Sequence, residues 1–143
     1  MGTASHNYIK KIIIVAIGIF SIGSGVIFVN GKLDTTIKST ICSADKYDND
    51  HGTYDRGMRF VLGRLTTDTS HVGYDYYIAS PGPPIYDYVY ARGVCEDKLT
   101  QEYCDSCMRV AVANVVNYCY MSTGAQIQLG DCYVRYEDYP FDH

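Results

Sequence analysis

A chain of 143 residues has room for one domain and not comfortably for two. Lys10 and Lys11 are the only charged residues in the first 31 positions, so residues 32–143 hold 10 bases against 16 acids, a net of −6. An acidic domain lacks the basic face that phosphate backbones and anionic membranes require, which excludes nucleic acid as a partner.

The first element is an uncharged run from Ile12 to Val29, preceded by Lys10-Lys11 and followed by Lys32. A basic start, an apolar middle and small residues at the far end describe a secretory signal peptide over residues 1–31, cut after Gly25 or Gly31. The alternative is an uncleaved membrane anchor, since 18 apolar residues approach the length of a bilayer span. Both readings place residues 32–143 outside the cytosol, and the domain touches a membrane only if the anchor is retained.

Residues 32–53 read as an extended leader and a loop, with the turn-rich Asp45–Gly52 stretch at its end. From Tyr54 to Leu65 the apolar residues Tyr54, Met58, Val61, Leu62 and Leu65 fall at helical spacing. Gly57 and Gly63 weaken that helix intrinsically, so packing must hold it. Gly73–Ala79 reads as a strand, Ser80–Pro84 as a loop, and the alternating Tyr86, Tyr88 and Tyr90 as a second strand over residues 86–91. Thr100 is the expected N-cap of a second helix. On that helix Cys104, Cys107, Met108, Ala111, Val112, Val115 and Cys119 share one face. Ile127 and Leu129, then Cys132, Val134 and Tyr136, alternate with polar residues around Gly130-Asp131. That pattern is a hairpin burying one face and displaying Gln126, Gln128, Arg135 and Glu137 on the other. This polar face is the expected binding surface.

The six cysteines are Cys42, Cys95, Cys104, Cys107, Cys119 and Cys132. An even number behind a signal segment reads as three disulfides, with 15 possible pairings. Cys104-Asp-Ser-Cys107 lacks the buried strand that precedes a redox pair and the second pair of a zinc site, so no metal or cofactor is expected. Fingerprints for hydrolase, nucleotide-binding or zinc-protease chemistry do not occur. Glu137 and Asp138 are adjacent and so point apart in a strand, a poor arrangement for flanking a glycosidic bond. The expectation is a binding protein and not an enzyme.

Cys95, Cys104 and Cys107 form a C-x8-C-x2-C pattern. Around it stand Gly73-Tyr74, Tyr90-Ala91-Arg92-Gly93, Gly124-Ala125, Asp131-Cys132, Arg135-Tyr136-Glu137 and Tyr139-Pro140-Phe141. Over about residues 37–141 the chain resembles the ginkbilobin-type cysteine-rich domain of plants. That module occurs in cysteine-rich receptor-like kinases, cysteine-rich secretory proteins and plasmodesmata-located proteins. The resemblance implies an α+β fold of two helices packed on a five-stranded antiparallel sheet. It also implies disulfides Cys42–Cys119, Cys95–Cys104 and Cys107–Cys132. Family members that bind mannose use an Asn after the first cysteine, an Arg in a Gly-Ala-Arg segment and the Glu of a late Tyr-Glu. Here those positions are Ser43, Gln126 and Glu137, so only the third is kept and mannose binding should be weak or absent. The implied function is a secreted, lectin-like antifungal defence protein of the apoplast that binds a microbial or cell-wall carbohydrate. The alternative is an apoplastic module that binds an extracellular protein.

Overall fold

The computed structural model describes residues 32–48 and 51–142. The chain divides into two units at Lys32/Leu33, and the expected signal segment lies outside the described residues.

In the second unit, five strands form one antiparallel sheet: β1 (Ile37–Cys42), β2 (Asp75–Ala79), β3 (Tyr90–Cys95), β4 (Ala125–Leu129) and β5 (Cys132–Glu137). Their order across the sheet is β1-β4-β5-β3-β2. Two helices, α1 (Thr53–Asp68) and α2 (Gln101–Tyr118), cover one face. The period-two alternation of the central strands dictates which face: Ala91, Cys95, Ala125, Ile127, Leu129, Cys132, Val134 and Tyr136 are all buried. Against them pack Met58, Val61, Leu62 and Leu65 of α1 and Cys104, Cys107, Met108, Ala111 and Val115 of α2. The second helix begins where its cap predicts, with Thr100 Oγ1 accepting from Tyr103 N at 3.2 Å.

The three disulfides join Cys42 to Cys119, Cys95 to Cys104 and Cys107 to Cys132. Each takes one half from α2 or its C-cap, so the bridges fasten that helix to β1, β3 and β5.

Two expectations fail. β1 lies inside what reads as a featureless leader, because Ile37–Cys42 mixes polar and apolar residues and leaves most of its side chains in solvent. The strand exists because the hairpin offers it an edge, with Ile41 opposite Gln126 and Cys42 opposite Ala125.

The second failure is the strand over residues 86–91. Only Tyr90 and Ala91 of it belong to a strand, which continues to Cys95. The backbone of 86–89 finds partners in the loop and in α1 instead of a neighbouring strand. Tyr86 N donates to Gly82 O, Asp87 N to Thr53 O, and Val89 N to Ser80 Oγ at 2.9 Å. Tyr86 packs on Phe60 while Tyr88 lies against Gly82, so the tyrosines do not share a sheet face. This loop explains Gly57: a Cβ there would sit 2.6 Å from Asp87 O.

Candidate functional site: a cleft where three strands end

The helix-free face of the sheet carries one complete rung of paired residues: Ile41, Gln126, Arg135, Arg92 and Tyr77. Two arginines directly opposite one another repel, and each is matched with its own carboxylate. Arg92 forks onto Asp75 at 2.8 and 2.6 Å, and Arg135 Nε donates to Glu137 Oε1 at 2.9 Å. Burial works against the Arg135 charge, but Glu137 and the Tyr139 hydroxyl outweigh it and hold the guanidinium above the usual arginine range. The Phe141 ring stacks on the same guanidinium at 4.2 Å and meets Tyr77 edge-on. The Tyr139–Phe141 segment thus folds back over β5.

At the end of this face, β1, β4 and β5 open into a cleft of about 290 Å³. Ser43, Gln126 and Glu137 all line it. Ser43 meets Gln126 and Glu137, 83 and 94 positions further along the chain, because the cleft floor is sewn together by backbone bonds. Ser43 N donates to Gly124 O at 2.8 Å, Thr123 N to Asp45 O at 3.0 Å and Tyr47 N to Met121 O at 3.0 Å. Lys46 Nζ adds bonds to Ser122 Oγ and Tyr120 O. Beneath the floor, the hydroxyls of Tyr54 and Tyr136 donate to Thr123 O and Ser122 O. Burial raises both phenol pKa values, so both stay donors.

Ser43, Gln126 and Glu137 are each hydrogen-bonded within the fold. Ser43 Oγ accepts from Asp45 N at 3.2 Å. Gln126 Oε1 accepts from the Tyr133 hydroxyl at 2.8 Å, which leaves its amide N–H groups as the donors available to a ligand. The Glu137 side chain is 15 % exposed, and a Cβ on Gly124 would collide with its Oε2. Glycine at 124 is therefore what lets the carboxylate lie across the floor. Gln128, expected on the same binding surface, turns away to donate to Leu129 O and Cys132 O, and it does not line the cleft.

Sequence reading missed Asp45, Thr123, Asp138 and Tyr139, which also line the cleft. Asp138 and Tyr139 follow Glu137 directly, and their loop signal is ordinary. Asp45 comes into place through its bonds to Thr123 and Ser43, which the sequence pattern does not signal. Among the described residues, the lining thus holds three carboxylates, Asp45, Glu137 and Asp138, and no base. Among the described residues, no cluster of His, Cys, Asp and Glu is arranged to hold a metal ion.

Residues 41–139, from the end of β1 through the other four strands and including the cleft, match the profile of a family described as salt stress response/antifungal. The chain belongs to this family. Antifungal protein ginkbilobin-2 of Ginkgo biloba is 26% identical over 122 residues, covering 85% of this chain and 90% of that protein. Antifungal protein ginkbilobin-like protein 1 of Picea sitchensis is 29% identical over 109 residues, 76% of this chain and 81% of that one. The crystal structure of the tandem DUF26 ectodomain of the Arabidopsis thaliana cysteine-rich receptor-like protein PDLP5 superposes with a TM-score of 0.64 at 23% identity. That match covers 74% of this chain and 51% of the ectodomain, so this chain spans about half of it and shares its fold. The family's pairing of six cysteines and its two-helix, five-stranded architecture are those described above.

Proposed function

We propose that this chain is an extracellular defence protein with antifungal action, and that its cleft takes a neutral glycan of a microbial or plant cell wall. The antifungal part is carried over from relatives of nearly the same length, named for that action. The glycan part is carried by one observation: Ser43, Gln126 and Glu137, far apart in sequence, line one cleft. Their groups suit sugar hydroxyls, with amide donors on Gln126, an acceptor on Glu137 and an exposed ring on Tyr139 as a wall. Three lining carboxylates and no base disfavour uronate or sulfated glycans by like-charge repulsion.

Mannose itself should bind weakly. Gln126 replaces a charged fork with a neutral amide, and the guanidinium of Arg135, one strand over, is already committed to Glu137. Calorimetry with mannose, mannan, β-glucan oligomers and polygalacturonate tests the reading. A neutral oligomer should bind and lose its affinity on Glu137→Ala, while polygalacturonate should not bind. Tight mannose binding, or glycan binding indifferent to Glu137→Ala, places the site elsewhere. Ser43→Asn with Gln126→Arg should gain mannose affinity of about tenfold.

A second reading, contact with an extracellular protein, rests on Tyr118, Tyr120 and Ile41. They flank the Cys42–Cys119 bridge and are 62 %, 63 % and 57 % exposed. Exposed aromatic and aliphatic side chains of this kind are enriched in protein interfaces.

A further inference from the structure

On the opposite side of the domain, α1 and α2 leave a second concavity of about 420 Å³ between them, within the range of small-ligand sites, roughly 300–1,000 Å³. Leu62, Val112 and Val116 give it an apolar floor, and Arg59 and Arg109 line it from either helix. Gly63 lies between these residues, exposed, in the interior of α1. Glycine is the least favourable residue short of proline in a helix interior. At Gly57 the fold itself supplies the reason, through the approach of Asp87 O. At Gly63 it supplies none: a Cβ built there meets nothing within 4 Å among the described residues. The missing side chain serves no contact of this domain, and its absence keeps the groove open.

The charges define what the groove accepts. Arg109 donates to Ser106 Oγ at 3.1 Å and forms no ion pair among the described residues. Arg59 adds a second positive group, tethered to Asp55 at 2.8 Å. The Arg109 guanidinium beside an apolar floor, with the Asp55-paired Arg59 on the facing helix, is complementary to an acid head on a hydrocarbon tail. The net −6 of residues 32–143 repels an extended anionic bilayer but hardly opposes one carboxylate delivered to Arg109.

We propose that the groove between α1 and α2 is a binding site for a single aliphatic carboxylate. Its chain lies on Leu62, Val112 and Val116 across Gly63, and its head meets Arg109. The site is separate from the cleft and does not depend on the glycan reading.

Calorimetry of the full chain with dodecanoate, kept below micelle formation, tests the proposal. One equivalent should bind. Dodecyltrimethylammonium, with the same chain and the opposite charge, should bind about tenfold more weakly, and Arg109→Gln should weaken dodecanoate by a similar factor. Gly63→Ala should move two readouts in opposite directions: melting rises by about 3 °C through helix propensity, while dodecanoate affinity falls. Gly63→Leu should abolish binding, with the melting curve reporting that the domain is folded. Any one of several results overturns the proposal. They are no binding by the wild type, equal binding of the cationic amphiphile, undiminished binding by a folded Gly63→Ala protein, or a concentration-dependent dimer that Gly63→Leu dissociates. Sedimentation with phosphatidylserine vesicles in the absence of dodecanoate binding also overturns it, since the groove then serves a membrane.

Discussion

Glu137 and Asp55 are two partly or wholly buried carboxylates with opposite tasks. Glu137, which in the proposed function serves a ligand, is oriented by Arg135 on one oxygen and by the bare backbone of Gly124 beside the other. Gly124→Ala should therefore act on binding before it acts on folding. The obstructing atom is the end of a flexible side chain, so the carboxylate can swing away at a stability cost of about 1 kcal/mol. Glycan affinity should fall to the level of Glu137→Ala while the melting curve stays close to wild type. A Gly124→Ala protein that binds normally would remove Glu137 from the site.

Asp55 instead serves stability. Its side chain is 1 % exposed and accepts from Tyr47 at 3.1 Å and from Arg59 at 2.8 Å. Burial pushes its pKa up, but the Arg59 and Tyr47 hydrogen bonds prevail and hold it below the usual aspartate value of 3.8. A depressed folded pKa means stability that is complete above the unfolded pKa and lost as pH falls through the folded one. Asp55→Asn should cost about 2 kcal/mol at neutral pH, a figure kept modest because Arg59 is largely in solvent. The gap between wild type and variant should close as the pH drops below 3.8. Urea unfolding at a series of pH values checks this; a gap independent of pH would mean that Asp55 is not ionised in the fold.

Among the elements, α2 has the strongest local signals and the most connections. Its Thr100 cap satisfies a backbone donor of the first turn. Thr100→Ala should cost about 1 kcal/mol in chemical denaturation, and Thr100→Ser much less, because the exposed methyl contributes little. This helix and the β4–β5 hairpin were legible in the sequence because their periodicities are long and their buried faces unbroken. β1 was not, since an edge strand exposed on both faces shows no alternation and owes its form to the partner it meets. The alternating tyrosines misled for the converse reason. Tyr86 and Tyr88 have a strand's pattern, but Ser80, Gly82 and Thr53 take up that segment's backbone bonds. Of the three cleft positions, Gln126 and Glu137 stood on the polar face read from the periodicity, which also nominated Gln128, while Ser43 followed only from the family resemblance. What neither showed was the floor, because the Asp45–Thr123 and Ser43–Gly124 bonds are backbone contacts with no side-chain signature.

At the scale of the whole molecule, the core and the bridges divide the work. The central strands and both helices share one continuous apolar core, and Cys95–Cys104 and Cys107–Cys132 lie within it. β1 is different: it pairs only with β4, buries little, and ends at Cys42, which is tied to the end of α2 at Cys119. That bridge also spans the longest loop, with a sequence separation of 77 against 9 for Cys95–Cys104. Restricting a loop of that length removes more freedom from the unfolded chain, worth about 4.5 kcal/mol against about 2.7 kcal/mol on the chain-entropy account. Losing the buried Cys95–Cys104 pair adds a packing penalty that narrows the difference in global stability. Hydrogen exchange separates the two contributions. Cys42→Ala with Cys119→Ala should reduce protection of the β1 amides to that of a local opening, while the amides of β5 keep exchanging only on global unfolding. Because Ser43 follows Cys42 directly and forms one wall of the cleft, the same variant should lose glycan affinity although its core remains folded. Removal of Cys95 and Cys104 should lower protection throughout and leave the affinity of the folded fraction unchanged. A Cys42/Cys119 variant whose β1 stays fully protected would show that pairing with β4 alone holds the edge.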